Sequence, residues 1–183
     1  MEKHKKQAVA LPFAVMAVLS CAGVMAEPPT EYEVKAAFIH NIAKFVEWPA
    51  APPFSGSARL CLLGRDPFGG TLGVLQGKQI GRLSWEIVPV SARTSLKECR
   101  VLFIAASESG NLDRILGSIG NYSVLTIGDS PGYAEQGVMV NFYLEENKVR
   151  FEINREAAAR ARLGFSSQLL KLARIVPPAG GRQ

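Results

Sequence analysis

Apolar residues recur along this chain with two different periods, and the change of period divides it. Thr30-Glu31-Tyr32-Glu33 has the spacing of a capping box, with Thr30 accepting from the backbone near Glu33 and Glu33 reaching back. Behind it Val34, Phe38, Ile42 and Phe45 recur at helical spacing, with Ala37 and Val46 beside them, which predicts a helix buried along that stripe. Pro49 and then Pro52-Pro53 require the helix to stop by Trp48. Trp48 is expected either to pack on the helix end or to serve as a partner-facing anchor. Residues 59–63 form a short apolar run closed by Gly64 and read as a strand buried on both faces. Asp66 is placed to cap a short helix from Pro67, with Phe68, Leu72 and Leu75 on one face and Gly77 at its end. Residues 85–90 alternate as a second strand, and residues 101–105 make a third that is apolar throughout. Leu112, Ile115, Leu116 and Ile119 give the stripe of a helix ended by Gly120, and residues 123–127 a fourth strand closed by Gly128-Asp129.

In the last third the period falls to two. Val138, Val140, Phe142 and Leu144 alternate with less apolar positions, and so do Val149, Phe151 and Ile153. A two-residue turn at Glu146-Asn147 pairs Leu144 with Val149, Phe142 with Phe151 and Val140 with Ile153, which sets all six on one face of a hairpin. Glu-Asn is a mediocre turn pair, so the register is better specified than the loop geometry. Asn141 falls on the outward face of this hairpin, at an edge position or a polar contact to a partner. Asn154 is then expected to cap a long helix with Ala158, Ala161, Phe165, Leu169, Leu172 and Val176 buried, ended by Pro177-Pro178. The whole order predicts an α/β fold: one domain over residues 27–176, with a mixed, mostly parallel sheet flanked by helices, a C-terminal antiparallel hairpin and a final long helix. Residues 177–183 read as a flexible tail.

The N-terminus changes the picture of where the chain works. Residues 1–6 are basic, residues 8–18 are apolar apart from Pro12, and the stretch ends Val24-Met25-Ala26. That is the pattern of a secretory signal peptide cleaved near Ala26. The alternatives are an uncleaved anchor, since residues 7–26 are nearly long enough to span a bilayer, and acylation at Cys21, which Leu19 fits poorly. The 183-residue length suits one domain, and 48% apolar with 20% charged residues suits a globular chain. The formal charge of +5 falls to +3 without residues 1–26, which hold three Lys/Arg and one Asp/Glu. The remaining basic residues are scattered, with no run that would mark a nucleic-acid partner. Two cysteines remain, Cys61 and Cys99. In an exported chain an even count points to a disulfide, and two buried free thiols are the alternative.

Little catalytic chemistry is visible. There is no G-x-S-x-G, H-E-x-x-H, Walker A or strand-linked G-x-G-x-x-G sequence. Gly64-Arg65-Asp66-Pro67-Phe68-Gly69-Gly70 stands where a nucleotide loop would sit, but Pro67 and Phe68 replace the glycines such a loop needs. His40, the one histidine left after processing, lies off the main helical stripe and reads as a structural residue. Two histidines and three cysteines in all leave little material for a metal centre, and no cofactor is expected. A ligand could be held at the carboxyl ends of the strands, where Arg65, Asp66, Arg93, Ser107, Glu108 and Asp129 fall; as polar loop residues they could equally just face water.

Several segments, taken in order, resemble the YfiR-like family. They are Glu33-Val34-Lys35-Ala36-Ala37-Phe38 with Lys44-Phe45-Val46-Glu47-Trp48-Pro49, Gly64-Arg65-Asp66-Pro67-Phe68-Gly69, Leu102-Phe103-Ile104, Leu125-Thr126-Ile127-Gly128-Asp129, Gly137-Val138-Met139-Val140-Asn141-Phe142, Phe151-Glu152-Ile153-Asn154 and Leu169-Leu170-Lys171-Leu172-Ala173. The likeness runs from about residue 31 to 176. It implies an exported periplasmic protein, a compact α/β fold, homodimers and redox-sensitive cysteines at the positions of Cys61 and Cys99. It also implies a non-catalytic regulator of the periplasmic domain of an inner-membrane diguanylate cyclase or other sensor, in a system that includes an outer-membrane lipoprotein. Lowered cyclic di-GMP and biofilm formation are the expected output. The other expectation is a periplasmic small-molecule-binding sensor module built on the strand-end loops, with Arg65, Asp66 and Asp129 among its contacts.

Overall fold

Strands that are apolar on both faces line up in the middle of one eight-stranded sheet. The computed structural model describes residues 27–49, 56–91 and 93–177. The expected signal peptide with Cys21, and the expected tail beyond Pro177, lie outside the described residues. The elements are α1 (Glu31–Lys44), β1 (Val46–Glu47), β2 (Ser57–Leu63), β3 (Gln79–Ile80), β4 (Leu83–Val90), β5 (Val101–Ile104), α2 (Leu112–Ile119), β6 (Leu125–Gly128), β7 (Val140–Glu145), β8 (Lys148–Ile153), α3 (Arg155–Arg160), β9 (Gly164–Phe165), α4 (Ser167–Leu170) and β10 (Arg174–Ile175). The sheet order is β10-β8-β7-β6-β5-β2-β4-β3, and β1 pairs with β9 in a separate two-stranded ribbon. The run from β4 through β2, β5 and β6 to β7 is parallel; β8 is antiparallel to β7, and β3 to β4. The expected mixed, mostly parallel sheet with a C-terminal hairpin is the observed architecture.

Alternation along the central strands builds two apolar layers. Leu60, Leu62, Val101, Phe103, Leu125 and Ile127 join the core under α1. Cys61, Leu63, Leu102 and Ile104 face the opposite way and pack with Leu112, Ile115 and Ile119 of α2. The outer edge of β4 is blunted: the Trp85 N–H donates to Lys78 O, the Ile87 N–H to Gln76 Oε1, and Pro89 has no N–H to offer.

The capping box forms as read: the Thr30 N–H donates to Glu33 Oε2 at 2.6 Å, and the Glu33 N–H to Thr30 Oγ1 at 3.3 Å. The buried face of α1 is not the predicted stripe, however. It consists of Lys35, Ala36, Ile39, Ile42 and Ala43, with Phe38 at its flank and Phe45 exposed. Small alanines let the helix axis approach the sheet, and two bulky phenylalanines are left beside the contact rather than in it.

The hairpin has the predicted register, Val140 opposite Ile153, Phe142 opposite Phe151 and Leu144 opposite Val149. Glu146 and Asn147 both take positive φ, 49° and 59°, as the tight turn requires. The final long helix is a correction. It ends at Arg160, where Arg162 turns to φ 57° and the Leu163 N–H bonds back to Ala158 O at 2.9 Å. That six-residue return is a Schellman ending with Arg in the place usually held by Gly. The chain then pairs Gly164 with Glu47, is capped again at Ser166 for α4, and adds β10 beside β8. Leu172, predicted to be buried, is 74% exposed.

Candidate functional site

In an open α/β sheet the ligand crevice lies outside the carboxyl ends of the strands, where successive connections diverge. Here that point is between β2 and β5, and the two following loops close on each other. The Arg65 N–H donates to Ser107 Oγ at 2.8 Å. Gly64 sits at φ 97° with Ser107, Glu108 and Ala105 so near that a β-carbon there would meet all three. The Asp66 carboxylate is turned inward to the chain, accepting from the Phe68 N–H at 2.7 Å and the Gly70 N–H at 3.3 Å. Tyr32 of α1 packs edge-on against Phe68 at 5.1 Å, so the first turn of α1 roofs this end of the sheet.

Asp129, just past β6, is tied to the same turn. Its Oδ2 accepts from Lys35 Nζ at 2.8 Å and from the Tyr32 hydroxyl at 3.0 Å. Lys35 also pairs with Glu31, and its ammonium lies 4.3 Å from the centre of the Tyr32 ring. The Lys35 and Asp129 side chains are 4% and 5% exposed. Burial alone would lower the Lys35 pKa, but hydrogen bonds to Asp129 and Glu31 outweigh it and hold the ammonium above its ordinary value. Burial and the Asp129 charge raise the Tyr32 phenol. The arrangement is a buried clamp between α1 and β6.

A second polar row crosses β7, β8 and β10, which place Asn141, Glu152 and Arg174 side by side. The Asn141 amide donates to Glu152 Oε1 at 2.9 Å, and Arg174 Nε donates to Glu152 Oε2 at 3.0 Å. The Arg174 guanidinium lies 4.1 Å over the Tyr143 ring. Asn141 is thus not at an edge: β7 is flanked by β6 and β8, and the residue is buried. Beside it, Gly128 admits the ring of Tyr133, whose hydroxyl donates to Ala105 O at 3.2 Å. A methyl group at Gly128 would overlap that ring, so Gly128→Ala is expected to destabilise by about 1–3 kcal/mol, read from urea midpoints.

Trp48 sits at the end of α1 as predicted, its indole N–H donating to Ala43 O at 3.3 Å and its ring under the Arg100 guanidinium at 3.8 Å. His40 has a structural part: its Nδ1 accepts from the Trp85 indole at 2.9 Å, which requires the neutral ring. Burial, with Lys44 and Lys78 nearby, lowers its pKa and favours that form. Cys61 of β2 and Cys99, two residues before β5, form a disulfide with Cα atoms 5.8 Å apart, and both are buried in the layer under α2.

Residues 32–174 match the YfiR/HmsC-like family. The chain belongs to that family. YfiR/HmsC-like proteins are periplasmic regulators that act on a membrane-bound partner. A search of curated proteins gives no match. Among solved structures the fold is similar to a conserved domain protein from Vibrio cholerae, with 12% identity over 81% of this chain and 60% of that one, at a TM-score of 0.55. It is similar also to the ABC domain in complex with L-Trp from Streptococcus pneumoniae, with 9% identity over 79% of this chain and 60% of that one, at a TM-score of 0.51. The chain spans about three fifths of the length of each, and likenesses this distant show the fold alone.

Within this YfiR/HmsC-like chain, then, the residues nominated from sequence do not converge on one cleft. Arg65 and Asp66 belong to the β2 loop, Asp129 to the α1 clamp, Asn141 to the β7–β8–β10 row, and Trp48 to the end of α1. Sequence reading missed Lys35, Glu152 and Arg174. Glu31 and Lys35 at i, i+4 look like a solvated helical pair. Glu152 alternates with apolar neighbours and looks outward. Lys35 is buried by Asp129, 94 residues away, and Glu152 by Asn141, which stands opposite it across the hairpin.

Proposed function

We propose that this protein is a non-catalytic periplasmic regulator that restrains an inner-membrane diguanylate cyclase and thereby lowers cyclic di-GMP and biofilm formation. The observation that carries the reading is the family match, which takes in every element from α1 to the start of β10. Restraint would work by population shift: the regulator binds the inactive form of the sensor's periplasmic domain more tightly than the active form, and it shifts the balance only by that difference. Homodimer formation, signal-peptide cleavage near Ala26 and an outer-membrane lipoprotein as a further partner belong to the same proposal. Internal bonding of Asp66 and Asp129 supports this reading over a ligand site in the strand-end loops. Deleting the gene is expected to raise cyclic di-GMP, and the mature protein is expected to pull a cyclase with a periplasmic sensory domain out of solubilised membranes. Unchanged cyclic di-GMP together with capture of no membrane sensor would remove the proposal.

A further inference from the structure

The parallel ladder between β6 and β7 starts only at Ile127 and Val140. One residue upstream a side chain joins the two chains instead, the Met139 N–H donating to Thr126 Oγ1 at 3.0 Å. At this gap, on the sheet face covered by α2, lies a pocket of about 240 Å³ between α2, β6 and α3. Thr126 lines it and is 1% exposed. Leu125 donates its N–H to Arg100 O, toward β5, so the Thr126 N–H points the other way, toward the gap. Neither that N–H nor the Thr126 hydroxyl proton has an acceptor among the described residues. Protein interiors rarely leave buried donors unused, and here two stand together at a pocket wall.

Arg160, at the end of α3, is the charged side chain that lines the pocket, and no carboxylate does. Its Nη1 donates to Glu156 at 2.9 Å, with both groups half exposed or more. Its Nη2 is on the pocket side: a β-carbon added at Gly137, which also lines the pocket, would stand 4.0 Å from it. That half of the guanidinium has no partner among the described residues. The amide of Asn121 lines the rim without a hydrogen bond among the described residues, and Gln136, whose Nε2 is engaged by Gly132 O at 3.0 Å, keeps its Oε1 free.

We infer that this pocket binds a short 2-oxo or 2-hydroxy carboxylate, with the carboxylate on the free side of Arg160 and the neighbouring oxygen on the Thr126 donors. At the volume each molecule has in liquid water, the pocket has room for roughly eight non-hydrogen atoms, against about six in pyruvate or lactate. One guanidinium already shared with Glu156 suits a singly charged head better than a phosphate dianion. The Thr126 donors select the second oxygen, because a plain carboxylate would bury them unpaired. The site lies at the amino ends of β6 and β7, away from the strand-end loops, and is independent of the regulatory reading, so the test uses purified mature protein and leaves repression aside.

Pyruvate and lactate are each expected to bind saturably by calorimetry, with Kd below about 1 mM, and to raise the melting temperature. Propanoate should bind at least tenfold more weakly, and octanoate, too long for the pocket, should not compete. In amide-resolved NMR the Thr126 N–H should shift as pyruvate is added. Arg160→Met should weaken both ligands about tenfold. Asn121→Asp, which sets a carboxylate at the rim, should weaken them at least threefold. Both positions are exposed, so each variant should keep the wild-type melting temperature in the absence of ligand. No saturable binding of pyruvate or lactate in that range, equal binding of propanoate, or binding unchanged in Arg160→Met would overturn the inference. So would inorganic phosphate binding as tightly as pyruvate, which would make the pocket a general oxyanion site.

Discussion

Replacing Cys61 and Cys99 together by Ala is expected to remove about 4 kcal/mol of stability. The bond closes a loop between residues 38 apart in sequence, and losing that constraint on the unfolded chain costs about this much by chain entropy. For a domain of this size the melting temperature should fall by roughly 8–16 °C. Since a domain has only about 5–15 kcal/mol in all, a quarter or more of the total rides on one bond. Both cysteines are 1% exposed, so native protein should resist a reductant that acts quickly once denaturant opens the fold. Thiol labelling of periplasm-purified protein under denaturing, non-reducing conditions should find no free thiol at either position. The regulatory consequence follows from the position of the bond. It joins β2 to the chain entering β5, two neighbouring strands in the interior of the sheet, so loss of the bond loosens the whole domain rather than an appendage. Reduction should therefore release the target as temperature approaches the lowered melting point. A double variant that melts with the wild type and represses as well as it does would deny the bond both roles.

The parts of the fold that sequence made legible are those in which local pattern and tertiary role coincide. In the hairpin a slip of one residue would turn Phe142 and Phe151 to the wrong face, so the alternation together with a two-residue turn determines the pairing. In β2 and β5 the unbroken apolar runs had no reading except burial on two faces. The chain after Arg160 was illegible for the converse reason. Ala158, Ala161, Phe165 and Leu169 keep a helical period straight through a break, because the two short pieces happen to present their apolar residues in phase. The stop signal is a left-handed residue that is usually Gly and here is Arg162. On α1, apolar strength favoured Phe38 and Phe45, whereas close approach to the sheet favoured Ala36 and Ala43. Phe45 is left exposed by that close approach and Leu172 by the break after Arg160, although the apolar period predicts burial for both. The buried charges were beyond any local signal: Lys35 and Asp129 are 94 residues apart, and neither neighbourhood names the other.

That clamp carries the other large expected effect. Asp129→Ala should destabilise by about 3–5 kcal/mol, because it leaves the Lys35 ammonium buried with Glu31 alone, a carboxylate that is itself about one-third exposed. It also takes away the acceptor of the Tyr32 hydroxyl. Lys35→Met on its own leaves the Asp129 carboxylate buried against Tyr32 and should cost a comparable amount. Removing both should cost less than the sum of the two, since part of each single penalty is a widowed charge, and the double-mutant cycle should return a coupling of about 2–3 kcal/mol. The pH dependence has a definite sign. Lys35 and Tyr32 both hold their protons more tightly folded than unfolded. Their contribution is complete below the unfolded values, about pH 10, and is lost as pH rises through the folded ones. Urea midpoints taken from pH 7 to 11 should therefore fall at the alkaline end in the wild type and much less in Lys35→Met/Asp129→Ala. Additive single-mutant effects, or parallel alkaline curves for the two proteins, would mean that α1 is held to the sheet by its apolar face alone.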